Sequence, residues 1–564
     1  MMLCAAILSA QTPAKQKADK QQPTDAKGKE DAKPKPSGPP PEWQVYYKAN
    51  GITDPQKKLE ALEKVLKDFP KAEGFFRFQV NQSILSTMIK ALPDQKERIL
   101  AHARTWADKA SAEHRNNVLN TIATTLLDAG IMLDEAQSFV EKGLAELDEK
   151  KYVENRKKSM AEAKMPVPSD EELAKSFRST RAGSLSVLGR IQFKKGNSAE
   201  AEKYLKESYD ANPTITATAV TLAEISEKSG DEKTALHYLS VAILSGRVKK
   251  EDRERFENLY RKTHNNSLDG MEAMLDERYK QVFPPPIHVD DYQPTELRSK
   301  RVVLAEVFTG SGCPPCVAAD LAFDAVMERY SRDEVAVLMY HQHIPSPDPM
   351  TNKATQKRYN FYGGGGVPVF IIDGKKDGGG GPRDSTRVFY NRVNPVIEKE
   401  LEVAAEANIK LNAVMDGSTV KIRAEVENIK GVEGPIRLQV ALAEDLLRYS
   451  GENGIRFHPM VVRALAGHDS GGFVVEATSP AAFEHAFDIS KIVGEIKTHL
   501  DEFETNRNKD LPADSKSKFA FAEKKHEIDS GKLSVVAFIQ DEKTKKILQA
   551  VYIKPKAGES SASK

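Results

Sequence analysis

The spacing of apolar residues along this chain first changes at "FPPPIHVDDYQP", Phe283 to Pro294. Before that segment they recur at helical spacing, and after it they fall in strand-length blocks. A chain of 564 residues is too long for one ordinary core. The pattern predicts a multidomain protein: an α-helical repeat domain at 42–282, an α/β domain at 283–404, a β-sandwich-like domain at 405–555 and a tail at 556–564. The formal net charge of +1 implies no general attraction to nucleic acid or to a charged membrane.

The first ten residues, within "MMLCAAILSAQTPA", have the apolar run and small-residue site of a secretory signal, without a basic residue ahead of them. Residues 11–41 are rich in Lys, Pro, Gln and Ala, hold no aromatic residue, and are expected to form a disordered linker. A leader followed by a tether points to export, into the periplasm or beyond, in the cell envelope of a bacterium. No stretch is long enough to span a bilayer.

Within 42–282, "DPQKKLEALEKVLKDFPKA" opens on Asp54-Pro55 and carries Leu59, Leu62, Val65 and Leu66 on one helical face. Two later segments align at a period of 34. Leu188, Gly189, Gly196 and Ala201 in the first match Leu222, Ala223, Gly230 and Ala235 in the second. Small residues at those places let paired helices approach, and the Gly opens the turn between them. This pattern resembles the tetratricopeptide repeat, and the resemblance implies a groove for a peptide or protein ligand. "LLDAGIMLDEAQSFVEKGLAEL" resembles a further, degenerate copy.

After Pro294, strand and helix alternate: strand 301–308, helix 314–332, strand 334–341, helix 351–359, a strand and turn in "VPVFIIDGKK", and helix 386–404. Beyond Ala405, "ANIKLNAVMDGSTVKIRAEVENI", "PIRLQVALAEDLL" and "KLSVVAFIQDEKTKKILQAVYIKP" alternate with period two, the signature of half-buried strands.

The chain has three cysteines, too few for a disulfide-stapled scaffold, yet Cys313 and Cys316 stand together in "AEVFTGSGCPPC". Zinc would need two more ligands, and His341 and His343, two apart on a strand, are on offer. Proline pairs between cysteines are unusual in zinc knuckles, and inert core cysteines would not need a strand-to-helix junction. Redox chemistry explains more. Cys313, delivered to a helix start, is expected to be the exposed nucleophile with a lowered pKa, and Cys316, one turn in, the shielded resolving thiol. The prolines suit the first helical turn, where a missing N–H matters least.

The stretch resembles the thioredoxin superfamily. "GGGGVPVFIIDGK", Gly363 to Lys375, is similar to the segment that carries a cis-proline opposite the dithiol in that superfamily. The resemblance implies a cis Val367-Pro368 bond, with Val367 and Pro368 contacting substrate. "YHQHIPSPDPMTN", "FHPMVVRAL" and "VVAFIQDEKTKKILQA" resemble a subgroup: bacterial outer-membrane-protein-related thioredoxin-like proteins with a C-terminal β domain. The resemblance runs from about Val302 to Pro555. Two departures bear on activity. Gly312 precedes the first cysteine where many thioredoxins have Trp. Val307 occupies the place of a buried proton-moving Asp, with Glu306 beside it, either a substitute relay or a solvated carboxylate at the strand face. Asp348, Arg358 and Tyr359 either hold the insert after His341 closed or contact substrate. His458 and His468 read as surface or core histidines rather than ligands.

Taken together, these features predict an exported thiol–disulfide oxidoreductase acting on protein disulfides through Cys313 and Cys316, with a redox partner protein and no cofactor, metal or nucleic acid. The alternative is an envelope protein-binding scaffold whose thioredoxin-like domain is weakly active or inactive.

Overall fold

The computed structural model describes residues 40–162, 167–467, 471–476, 480–512, 515 and 518–558. The expected leader, nearly all of the linker, His468 and most of the tail lie outside the described residues. The chain divides into two compact units, between Asn212 and Pro213. That division falls inside the helical stretch rather than at its expected end, so the last four helices before Phe283 belong with the sheets.

The first unit is helical: α1 Pro41–Asn50, α2 Pro55–Asp68, α3 Gly74–Ala91, α4 Lys96–Lys109, α5 Ala112–Ala129, α6 Leu133–Ala145, α7 Glu149–Glu162, α8 Asp170–Lys194 and α9 Ser198–Ala211. Asp54 caps α2 by accepting from the Lys57 N–H, and Pro55 follows at the first position, where no donor is lost. The face that α2 buries is Leu59, Leu62 and Val65, each contributing about 1.5–3 kcal/mol of apolar burial. Consecutive helices pack in a repeat-like arrangement, α8 against α9 most extensively. Gly189 makes that approach possible, since a Cβ there would lie 2.6 Å from Cγ of Leu205. Gly196 turns the chain between the pair with φ +87°.

The second unit begins with α10 Thr216–Lys228, α11 Glu232–Leu244, α12 Lys250–Thr263 and α13 Met271–Val282. Then come β1 Val303–Thr309, α14 Cys316–Arg329, β2 Val335–His341, α15 Lys353–Phe361, β3 Val369–Ile372, β4 Lys375–Gly378 and α16 Thr386–Leu401. The sheet-rich remainder is β5 Asn408–Asp416, β6 Thr419–Glu427, β7 Ile436–Arg448, β8 Phe457–Leu465, β9 Phe473–Val475, β10 Ala481–Asp488, α17 Ile489–Asn508, β11 Leu533–Asp541, β12 Ile547–Ile553 and β13 Lys556–Ala557. Among the described residues, no helix is long and apolar enough to cross a membrane.

The strands form two sheets. One runs β12-β11-β7-β8-β2-β1-β3-β4, with β9 on β7, and the other runs β10-β6-β5-β13. This corrects the expectation of separate α/β and β-sandwich-like domains. Strand β8 pairs parallel with β2 at Met339 and Val461, joining the two halves into one sheet. Buried Arg301 reinforces the join, donating to Asp373 at the β3–β4 turn and to the carbonyl of Ile547 on β12. The expected sandwich layer survives as a core between the two sheets, with Val420, Ile422 and Ala424 facing Leu438, Val440 and Ala537. The start of the expected tail is β13, paired with β5 at Val414 and Met415.

Candidate functional site

Strand β1 delivers the chain to the Gly310–Pro315 loop, and α14 starts at Cys316. Cys313 and Cys316 form a disulfide with their Cα atoms 5.3 Å apart. The loop is held by its own backbone: the Cys313 N–H donates to Gly310 O at 3.0 Å, and the Cys316 N–H to Cys313 O at 3.2 Å. A second backbone crosses beside it. The Gly381 N–H donates to Pro315 O at 2.7 Å, and the Ala318 N–H donates to Gly381 O at 3.1 Å.

The Val367-Pro368 peptide bond is cis, and the Val367 carbonyl oxygen lies 3.8 Å from Sγ of Cys313. A second cis bond, Ile344-Pro345, has no counterpart among the sequence-based expectations. The expected exposure of Cys313 is corrected: Cys313 is 1% exposed and Cys316 0%. Distant sequence also meets the loop that carries Cys313: in the β7–β8 connection, the Asn453 N–H donates to Ser311 O at 3.0 Å.

Glu306 is also corrected. Side chains alternate across a strand. Thr309 and Val307 of β1 face α14, Thr309 through Asp320 and Val307 beside its cross-strand partner Phe370, whose ring meets Phe323. Glu306 points to the opposite face. There Arg358 of α15 donates to both its oxygens, at 2.6 and 2.7 Å, and the Tyr362 hydroxyl donates at 2.6 Å. It is a buried structural carboxylate on the far side of the sheet from Cys316. Arg358 is therefore a structural partner, and Tyr359 bonds the backbone of Gly366 at both N and O.

The carboxyl group on the dithiol's own side is Asp320, four residues after Cys316 and so on the same helix face. It is buried; its Oδ2 accepts from the Thr309 hydroxyl at 2.7 Å, and its Oδ1 has no hydrogen-bond partner among the described residues. Burial pushes it up to about 7, against the Thr309 hydrogen bond. Asp324, one turn further on, is also pushed up to about 7 by burial and by Asp320. Sequence reading misses Asp320, although its i+4 spacing from Cys316 is visible.

The insert after β2 is anchored by Asp348. Its Oδ2 accepts from the Ser311 N–H at 2.6 Å and pairs with His341 Nδ1 at 2.9 Å, while Oδ1 accepts from the Met350 N–H at 2.8 Å. Burial alone would raise this carboxyl, but His341 and these donors hold it at about 2. His343 takes the Asp348 N–H on Nδ1 and stacks on Phe503 at 3.8 Å. Asp348 thus ties the insert to the dithiol loop, and both histidines bond it, His341 at its carboxylate and His343 at its backbone N–H. Among the described residues, no group of three or more side chains is placed to hold a metal ion.

No family model matches the chain, and no curated protein matches it. Among solved structures it is similar to a domain of the outer membrane lipoprotein Omp28 from Porphyromonas gingivalis, at 17% identity and a TM-score of 0.15, over 28% of this chain and 92% of that one. It is also similar to a thermophilic TPR protein in Thermus thermophilus, at 15% identity and a TM-score of 0.25, over 39% of this chain and 97% of that one. At those scores neither likeness bears on function.

Proposed function

We propose that the chain is a thiol–disulfide oxidoreductase of thioredoxin-like architecture, working in a bacterial envelope. The observation that carries this reading is the Cys313–Cys316 disulfide at a strand-to-helix junction, with the Val367 carbonyl 3.8 Å from Sγ of Cys313. In the reducing direction, the Cys313 thiolate attacks a substrate disulfide, forming a mixed disulfide and releasing one substrate thiolate. Cys316, losing its proton to Asp320, attacks Sγ of Cys313. The second substrate thiol leaves and the Cys313–Cys316 disulfide closes. Two electrons pass to the substrate, so a thiol donor protein must restore the dithiol before the next cycle. The helices of the first unit serve as a tetratricopeptide-like surface for a peptide or protein ligand.

Burial of both sulfurs favours a second reading, a binding scaffold whose dithiol is rarely used. Trapping separates the two. Cys316→Ser, expressed in the native host, should accumulate proteins disulfide-linked to Cys313, and Cys313→Ser should not. If Cys316→Ser captures nothing, the purified reduced chain does not reduce insulin, and Cys313→Ser leaves cellular function intact, the scaffold reading stands.

A further inference from the structure

We propose that residues 449–456, the connection between β7 and β8, form a lid over the dithiol, and that α13 holds this lid shut through Asp276. This rests on the redox reading only for its purpose; the closure itself is a matter of access.

The lid meets the dithiol loop directly. The Asn453 N–H donates to Ser311 O at 3.0 Å, and its side-chain amide to Gly310 O at 3.3 Å. A Cβ on Gly451 would come within 2.7 Å of Ser311 O, so only glycine fits this close to the loop. Ile455 packs on Val317 and Leu321 of α14 in a small apolar cluster separate from the main cores. Next to this contact, Cys313 and Cys316 are both buried.

Both feet of the lid end on one carboxylate. Arg448, the last residue of β7, donates through Nε to Asp276 Oδ2 at 2.6 Å. Arg456, just before β8, donates through Nε to Asp276 Oδ1 at 2.8 Å and reaches Glu272 Oε2 at 2.5 Å. The tip is held by the same helical layer. The Arg247 Nε donates to Glu452 O at 2.9 Å, and the Tyr279 hydroxyl to Gly454 O at 3.2 Å. The lid keeps its own shape through Gly451 N–H to Ile455 O at 2.8 Å and Tyr449 N–H to Arg456 O at 2.9 Å.

These contacts are mostly polar, and water can replace them when the segment swings away. Its apolar anchors are Ile455, on Val317 and Leu321, and Tyr449, beside Met350, Leu447 and Val461. A segment with few apolar contacts opens at far lower cost than the sheet beneath it. Asp276 is the natural release point, because one side chain fastens both ends of the loop. The redox centre is therefore closed at rest and admits substrate when the lid detaches from the helical layer.

The test reads access, not turnover. The oxidised full chain is treated with a small water-soluble phosphine, and thiol release is compared with that of the urea-unfolded chain. The folded chain should react at least a hundredfold more slowly. Asp276→Asn, which removes the charge fastening both feet, should accelerate reduction at least fivefold, beyond any rise explained by its change in urea midpoint. Asn453→Ala, which touches the dithiol loop but not the helices, should also accelerate it, and it decides the matter if the first variant does not fold. Reduction of the wild-type chain within threefold of the unfolded rate would overturn the lid. So would variants that leave the rate unchanged, or that raise it only as far as lost global stability explains. The phosphine needs no catalysis, so this outcome is independent of whether the chain proves to be an oxidoreductase.

Discussion

The Thr309 hydroxyl at the end of β1 donates to Asp320 Oδ2 at 2.7 Å, tying the strand that leads to the dithiol to the helix that carries Cys316. Burial makes this carboxyl hard to ionise, at about 7 in the folded chain. The unfolded chain ionises it near the ordinary value of about 3.9. Between about pH 4 and 7 the folded state therefore binds more protons at this group, and its contribution to stability falls as pH rises. Asp320→Asn should remove that loss, gaining up to about 4 kcal/mol relative to wild type at pH 8 and little at pH 4. Urea unfolding at the two pH values checks this; an equal effect at both would mean that Asp320 is ionised in the folded chain throughout.

The bidentate pair between Glu306 and Arg358 predicts a different response. Glu306→Ala leaves a guanidinium buried without its partner, and the expected cost is about 3–5 kcal/mol. The double substitution Glu306→Leu with Arg358→Met should recover most of it. Because the pair lies across the sheet from α14, folded Glu306→Gln should exchange disulfides within about twofold of wild type. A rate loss of tenfold or more in that variant, with its urea midpoint unchanged, would return Glu306 to the relay role.

The local elements around the site are readable in the sequence because they depend on short-range pattern. The apolar block before "GSGCPPC" is β1, the helix after it is α14, and the Asp373-Gly374 turn lies between β3 and β4. Pairing is not readable. Nothing within "VAVLMYH" says that its open edge is taken by β8, more than a hundred residues later, so one sheet reads as two domains. The meeting of the dithiol loop with distant sequence is unreadable for the same reason: Asn453 bonds Ser311, and no local pattern encodes that contact. The error over Glu306 has a different source. Strand parity alone separates positions 306 and 307, and adjacency along the chain is no substitute for sharing a face.

Gly189 offers a test of the helical unit. A methyl group there would press on Leu205 Cγ at 2.6 Å and on the Ala201 carbonyl at 3.2 Å. Gly189→Ala should gain about 1 kcal/mol of helix propensity but lose about 1–3 kcal/mol to overpacking, for a net loss. Adding Leu205→Ala frees the space, so the two substitutions should together cost less than the sum of their separate effects. Thermal unfolding of the four chains checks the sign of the coupling, and simple additivity would mean that α8 and α9 shift apart without strain.

His458 sets an acid-side dependence opposite in sign to that of Asp320. Its Nε2 donates to the Tyr449 carbonyl at 2.9 Å, which leaves Nδ1 to take any second proton inside the core. Burial, with His341 5.1 Å away ring to ring, pushes it down to about 3. In the unfolded chain the imidazole protonates near the ordinary value of about 6.5. Below that pH the unfolded state binds the extra proton and the folded state does not, so stability is lost as pH falls from about 6.5 toward 3. His458→Gln keeps a donor for Tyr449 and removes the titration. It should cost little at pH 4, where the wild type already bears the penalty, and more at pH 7.5, where it does not. Relative to wild type, the variant should therefore gain about 3 kcal/mol between pH 7.5 and pH 4. Urea midpoints measured across that range check it, and parallel profiles for the two chains would show that His458 is protonated as readily in the folded chain as in the unfolded one.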